Sequence, residues 1–208
     1  ITILAGQAVA NSIAPGGMHV GGGLNISSNG GAIKLSNIDV NGNGSTVGFD
    51  NGRGVAVGFG NLTTIDAGGG NIDLSATAST NGVDLNNAAL ITAGSGTITL
   101  TGVGDGGGWG VPLNNATITT VDGNITINGT VLSGNGYAVG TYGGTSQILA
   151  TGVGNITLTG VNHGSERGIY LADTTVGGNG TGTGNITLSG TGATNGVDLS
   201  NTSLMTAG

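Results

Sequence analysis

Apolar and polar residues alternate in a short phrase that recurs about every 30 residues along the chain. Its fullest form, Gly-Asn-Ile-Thr-Leu-Thr/Ser-Gly, occupies 154–160 and 184–190. The apolar pair of the phrase occurs seven times, as Ile1/Ile3, Ile33/Leu35, Ile72/Leu74, Ile98/Leu100, Ile125/Ile127, Ile156/Leu158 and Ile186/Leu188. Alternation with a period of two is typical of a strand with one buried face. A fixed period of this size indicates a solenoid, so the phrase predicts a stacked array of short strands.

A second phrase, Gly-apolar-x-apolar, follows the first in every repeat and predicts a second strand. It occupies 17–20, 54–57, 82–85, 110–113, 136–139, 168–171 and 196–199. Its two apolar residues should face inward and the residue between them outward. The residues between them are chemically mixed, which favours a solvent-facing column: His19, Ala56, Asp84, Pro112, Ala138, Tyr170 and Asp198.

A third apolar position lies five residues further on, at Leu90, Ile118, Val176 and Leu204. A polar residue precedes it each time, at Asn87, Asn115, Asp173 and Asn201. Gly and Asn tolerate the positive φ of tight corners, and Asn side chains at equivalent corners can bond from coil to coil. The three phrases predict an all-β, right-handed parallel β-helix over 1–208, with about seven coils of roughly 26–39 residues and three short strands per coil. The extra residues at 41–52 and 142–144 should form loops.

A longer period is also present, because 71–94 and 185–208 align without a gap and share Thr-Asn-Gly-Val-Asp-Leu. This spacing equals four coils and indicates duplication in blocks. The last residue, Gly208, corresponds to Gly94, after which the earlier copy continues toward Ile98. The chain begins at Ile1 with a phrase that resembles the one starting at Ile98. We therefore expect a fragment of a longer array, or alternatively a subunit that stacks end to end into a fibre.

Composition changes this picture little. The 48 glycines and 6 % charged residues could describe a linker, but 36 % of the residues are hydrophobic and mean hydropathy is +0.22. Their regular spacing favours a folded chain with a long, thin core. The absence of cysteine excludes disulfides and suits export in an unfolded state. No signal peptide is visible, so a mature or excised segment is expected.

Net charge disfavours two classes of partner. The chain carries −7, with ten acidic residues against Lys34, Arg53 and Arg167. Nucleic acids and anionic lipids both require clustered basic residues. No apolar run reaches the length of a spanning helix, so membrane insertion is not expected.

The interleaved phrases, such as Gly-Asn-Ile-Thr-Leu-Thr-Gly and Gly-Val-x-Leu-x-Asn-Ala, resemble the β-helical shafts of large bacterial surface proteins. These are the filamentous-haemagglutinin-like exoproteins and the related autotransporter adhesins. The resemblance covers essentially the whole chain. It implies a right-handed parallel β-helix, an exported location at the bacterial surface, and a role in adhesion, aggregation or biofilm. The amino-terminal secretion domain of that family is not recognisable in this chain.

Reactive side chains concentrate in one turn, His163-Gly164-Ser165-Glu166-Arg167. An acid/base pair with an arginine would suit a polysaccharide-degrading β-helix enzyme. Equivalent turns of the adjacent coils offer only glycine, asparagine and threonine, which favours a solvated loop with a local ion pair. Gly104-Asp105-Gly106-Gly107 resembles part of a calcium-binding roll, but it occurs once, and a glycine-rich turn explains it better.

Two further features bear on binding. Trp109 beside a glycine run could stack on a sugar, although a half-buried corner residue is the simpler interpretation. Outward threonines of the first strand should form two columns of the kind that ice-binding solenoids use, or else a β-ladder without further function. The columns are Thr99, Thr126, Thr157, Thr187 and Thr101, Asn128, Thr159, Ser189.

These observations predict a non-catalytic structural shaft of an exported bacterial surface adhesin or extracellular fibre. No catalytic, cofactor or metal site is assigned. Partners would be a host, neighbouring-cell or matrix surface of carbohydrate or protein, with end-to-end self-association as a further option. The alternatives are a self-stacking filament subunit, a polysaccharide-degrading enzyme and an ice-binding solenoid.

Overall fold

The chain folds into parallel sheets that wind around a narrow aliphatic core. The computed structural model describes residues 1–4, 18–21, 23–37, 53–178 and 184–205. These residues form 19 strands and no helix, so they contain no helix that could cross a membrane. Each strand bonds to its counterpart one coil away, in parallel.

Face 1 is a sheet of seven parallel strands that carry the first phrase. Backbone bonds join each coil to the next, for example from Ile72 N to Thr97 O at 2.8 Å. The strands of face 1 are β1 (Thr2–Leu4), β4 (Ile33–Asn37), β6 (Ile72–Thr77), β8 (Ile98–Gly104), β11 (Ile125–Val131), β14 (Ile156–Asn162) and β17 (Ile186–Thr191).

Faces 2 and 3 form one sheet of twelve strands, because β5 (Val55–Asp66) and β7 (Val83–Ile91) continue around the corner between them. Face 2 also contains β2 (Met18–Gly21), β9 (Val111–Asn114), β12 (Val139–Thr141), β15 (Ile169–Ala172) and β18 (Val197–Ser200). Face 3 also contains β3 (Asn25–Ser27), β10 (Thr117–Thr120), β13 (Ser146–Ala150), β16 (Thr174–Gly177) and β19 (Ser203–Met205).

The predicted fold class, an all-β parallel solenoid, is confirmed. The predicted coil count of seven was slightly too high, since the stack makes about five turns. Seven strands line face 1, but the first and last coils do not close a turn within the described residues. The right-handed sense stays a prediction, based on the strong preference of parallel crossovers for that hand.

Aliphatic columns fill the interior, one residue per coil in each column. On face 1 the inner pairs stack in register, as in Ile72↔Ile98 and Ile98↔Ile125. On face 3 the predicted column continues through two further residues, Ile65 and Ile148. Side chains such as Ile98, Leu100 and Ile118 are 0 % exposed. Burial of these chains supplies the main stabilising term of the fold, although in the last coil Ile186 and Leu188 are only partly buried.

Polar residues at the corner between faces 2 and 3 adopt the left-handed conformation predicted for them. Asn87, Asn115, Asp173 and Asn201 have φ between 48° and 53°. Asn115 Nδ2 donates to Asn87 Oδ1 at 2.6 Å, and Asn201 Nδ2 donates to Asp173 Oδ1 at 2.5 Å. The predicted ladder of corner side chains is therefore confirmed for these two pairs. The segment 142–144 lies between strands as expected, whereas 41–52 falls outside the described residues.

The register predicted for face 2 is wrong in the fifth coil. Val139, rather than Tyr137, pairs with Val111, so Val139 and Thr141 point inward. A tyrosine ring does not fit a column that holds valine, isoleucine or methionine in the other coils, and Tyr137 packs outside the core instead. The Thr141 hydroxyl is buried, but it donates to Ala172 O at 2.9 Å.

The middle column of face 2 is not the solvent-facing surface that the sequence predicted. Ala56 is 1 % exposed and Asp84 is 0 % exposed. The shift of register also replaces Ala138 by Gly140 in this column. Side chains from the edge of face 2 fold over the column and cover it, as described next.

Candidate functional site

The chain directly before face 2 places one side chain with a planar group per coil in a single column. Backbone bonds align its members: Gly54 N donates to Asn81 O at 2.9 Å, Gly82 N to Trp109 O at 2.9 Å and Gly110 N to Tyr137 O at 3.1 Å. The column consists of Arg53, Asn81, Trp109, Tyr137, Arg167 and Asn195. We call this column, together with Asp84, Tyr142, Tyr170 and Asp198 beside it, the aromatic strip.

Two arginine–aspartate pairs mark the two ends of the strip. Arg53 Nε donates to Asp84 Oδ2 at 2.7 Å, and Arg167 Nε donates to Asp198 Oδ2 at 2.6 Å. In each pair the aspartate lies 31 residues after the arginine, in the next coil. Asn81 Nδ2 donates to the same Asp84 oxygen at 2.7 Å. The hydrogen bond to Asp198 raises the pKa of Arg167, which stays charged at all physiological pH values.

Aromatic rings occupy the centre of the strip, between the two ion pairs. The Trp109 ring meets Tyr137 at 4.5 Å between centroids and Tyr142 at 5.2 Å, edge to face in both contacts. Tyr170 lies 5.0 Å from Tyr137, and the Arg167 guanidinium carbon lies 5.0 Å from the Tyr170 centroid. Apart from Phe49, which lies outside the described residues, every aromatic residue of the chain belongs to this strip or, as Phe59, contacts Arg53 within it.

The floor of the strip is shaped to hold the tryptophan. A Cβ at Gly140 would approach the Trp109 ring at 2.8 Å, so the ring fills the space that a middle-column side chain would take. Trp109 N donates to Asn81 Oδ1 at 2.9 Å, which holds the backbone of this turn. Beside the ring, Arg53 and Asn81 help to line a cleft of about 330 Å³. Burial raises the pKa of the Tyr142 phenol, and the carboxylate of Asp84 adds to the effect.

The turn containing His163 and Glu166 carries a local ion pair. Arg167 Nη1 donates to Glu166 Oε2 at 3.3 Å, which is the local ion pair that the sequence predicted. Arg167 also donates to the Tyr137 hydroxyl at 3.2 Å, so the structure joins this arginine to the aromatic strip. His163 is exposed on the turn.

The Asp105 segment forms a turn, as predicted. Ser133 Oγ donates to Asp105 Oδ1 at 2.5 Å and Gly106 N donates at 2.8 Å, and these bonds lower the pKa of Asp105. Within the described ranges no group of three or more His, Cys, Asp or Glu side chains is arranged to hold a metal ion.

The outward threonines of face 1 align as predicted. Thr99, Thr126, Thr157 and Thr187 occupy one column, and the second column runs in parallel through Thr101, Asn128, Thr159 and Ser189. In the preceding coils Lys34 and Asp73 replace threonine and pair with each other at 3.4 Å.

No protein-family profile, no curated protein and no solved structure matches this chain. The resemblance to bacterial surface proteins therefore depends on the repeated phrases alone.

Sequence reasoning identified Trp109 and Arg167 separately but missed the strip that unites them. The signal was present in the duplicated Thr-Asn-Gly-Val-Asp-Leu, because an arginine precedes each aspartate by the same 31 residues. A second signal was the position of Trp109 and Tyr137, each directly before the small residue, Gly110 or Ala138, that precedes a strand of face 2. Neither signal identifies which side chains touch, since the partners lie in different coils.

Proposed function

We propose that the chain is a non-catalytic structural shaft of an exported bacterial surface adhesin or extracellular fibre, serving adhesion, aggregation or biofilm. The observation that carries this proposal is the continuity of the core. Buried residues stack in register from Ile33 to Ile156 on face 1, with backbone bonds between successive coils. Such a stack resists bending because every internal coil is bonded to a neighbour on both sides.

The mechanism of a shaft is mechanical. Coils rise by about 4.8 Å each, so the length of the rod is proportional to the number of coils. A rigid rod keeps an attached binding module at a set distance from the cell. A flexible chain of equal residue number samples all distances up to its full reach.

A display experiment tests this mechanism. The chain is inserted between an outer-membrane anchor and a fluorescent tip, and the distance from the tip to a membrane dye is measured by energy transfer. Deleting 71–184, which removes one four-coil block in phase, should bring the tip closer by roughly 20 Å. The matched control is a Gly/Ser linker of the same residue number. Equal distance distributions for the rod and the linker would contradict the proposal.

The self-stacking alternative makes a different prediction. Purified protein should then form continuous filaments in electron micrographs, whereas a shaft segment should appear as isolated short rods. The enzyme and ice-binding alternatives stay predictions from the sequence.

A further inference from the structure

The aromatic strip contains more recognition chemistry than a structural rod requires. A shaft needs buried aliphatic columns and bonded backbones, and neither depends on side chains outside the core. The strip nevertheless gathers Trp109, three tyrosines and two arginine–aspartate pairs on one flank of a chain that is only 3 % aromatic. We propose that the aromatic strip binds a neutral, linear oligosaccharide lying along the axis of the solenoid. This adds a ligand to the proposed shaft and does not depend on surface display.

The rings of the strip are ordered before any ligand arrives. Trp109 is half-buried, rests on Gly140 and contacts Tyr137 and Tyr142 edge to face. A side chain held in this way loses little conformational entropy on binding. The flat, C–H-rich face of a sugar ring packs well on a fixed aromatic surface, whose apolar body has a polar handle at its edge.

The polar groups of the strip are also fixed. The Arg53 side chain is 21 % exposed and that of Arg167 is 29 % exposed. Each guanidinium carries five N–H donors, and the bond to its aspartate orients the whole plane. Sugar hydroxyls both donate and accept, so they suit paired arginine and carboxylate groups beside an aromatic ring. Binding sites of this kind combine an apolar lining with a few well-placed polar groups.

Charge favours a neutral ligand over an acidic one. Among the residues that the structure describes, ion pairs join Arg53 and Arg167 to the carboxylates of Asp84, Asp198 and Glu166. As defined, the strip holds two arginines and two aspartates and is neutral overall, whereas Glu166 beside it and the whole chain, at −7, add negative charge. An acidic polysaccharide would be repelled. A protein partner is disfavoured because the strip is a narrow track, a single column with a few side chains beside it, whereas a stable protein interface needs about 800 Å² on each partner.

The spacing of the strip favours a chain of repeated units. From Arg53 to Arg167 the column advances four coils, or about 20 Å along the axis. Trp109 and Tyr137 occupy successive coils, so successive ring units of a linear glycan could each meet one side chain of the column. The cleft of about 330 Å³ beside Trp109 lies at one end of this track.

Tryptophan fluorescence measures binding at the strip, because Trp109 is the single tryptophan of the chain. The purified protein is titrated with cellohexaose, mannohexaose and chitohexaose, and tryptophan fluorescence is recorded. Hexagalacturonate serves as the acidic comparison. We expect a saturable fluorescence change with at least one neutral hexasaccharide and weaker binding of hexagalacturonate. No saturable change with any neutral hexasaccharide, or tighter binding of the acidic one, would overturn the proposal.

Variants locate the site. Tyr137→Ala should weaken binding about tenfold, because it removes one ring of the aromatic pair. Thr126→Ala, on the outer surface of face 1, is the matched control and should bind as the wild type does. If Tyr137→Ala lowers the melting temperature, the affinity of Trp109→Ala is measured instead, by calorimetry because this variant lacks the fluorescent residue. Equal affinity in the strip variants and the control would place binding elsewhere and contradict the proposal, whatever the outcome of the display experiment.

Discussion

At the scale of single residues, the two arginine–aspartate pairs share one geometry but differ in burial. The bonds measure 2.7 Å for Arg53–Asp84 and 2.6 Å for Arg167–Asp198. The Asp84 side chain is 0 % exposed, whereas that of Asp198 is 28 % exposed. A carboxylate away from water depends on its partners, because solvent cannot replace a lost bond. The sequence did not predict this difference in burial, since both aspartates stand in the same phrase.

Asp84→Asn and Asp198→Asn form a matched comparison of burial at constant geometry. We expect Asp84→Asn to lower the free energy of unfolding by about 2 kcal/mol, because the partly buried guanidinium of Arg53 loses the negative charge of Asp84. The change at Asp198 should cost below about 1 kcal/mol, since water screens that pair. Urea unfolding followed by circular dichroism measures both. Equal losses would show that burial does not control these pairs.

The Tyr142 phenol predicts a pH dependence. Its pKa is raised in the folded chain, so the folded state holds the proton more tightly than the unfolded state, which ionises near the ordinary value of 10.0. Stability from this group is complete below pH 10 and falls as the pH rises through the folded pKa. Melting temperatures between neutral and strongly alkaline pH should show this decline. Tyr142→Phe should make the decline less steep, and an unchanged slope would contradict the assignment.

At the scale of elements, the corner between faces 1 and 2 requires glycine because two strands approach closely. A Cβ at Gly102, Gly129 or Gly160 would overlap a carbonyl oxygen at the start of the facing strand of face 2. These glycines stack in one column of face 1. The first phrase therefore ends in glycine for a packing reason, which its recurrence in the sequence alone could not distinguish from a turn.

Gly129→Ala tests this close approach. The added methyl would overlap Ala138 O, so the strands must separate, and we expect a loss of about 1–3 kcal/mol in the free energy of unfolding. Gly31→Ala is the control, because its Cβ would lie 3.6 Å from the nearest atom, Ser28 O. That change should be close to neutral. A similar cost at both positions would mean that entropy, rather than contact, explains the glycine column.

At the scale of the whole molecule, each coil contacts chiefly its two neighbours. The inward columns repeat with every coil, so one coil can replace another if the phase of the strands is kept. Stability in such arrays is approximately a sum of terms for each repeat and for each interface between neighbours.

This modularity predicts that the chain still folds when one coil is deleted. Removing 98–124 in phase lets β6 pair with β11, because Ile98 stands opposite both Ile72 and Ile125. We expect a folded rod about 4.8 Å shorter, with a lower melting temperature because one interface is lost. Small-angle scattering and circular dichroism measure length and strand content. Deleting 98–110 instead places a strand of face 2 where a strand of face 1 belongs and should abolish folding. A folded protein from that variant would contradict the equivalence of the coils.

The sequence by itself determined the repeat, the inward aliphatic pairs and the polar corner residues. These features depend on alternation within one strand and on backbone rules at single positions, and both can be read locally. Tertiary structure alone decided the register of Val139, the burial of Asp84 and the assembly of the aromatic strip. Each of these depends on contacts between side chains about 30 residues apart, and turns of unequal length set which residues meet. The architecture was therefore predictable from the chain, whereas its candidate binding surface emerged only from the stacking of its coils.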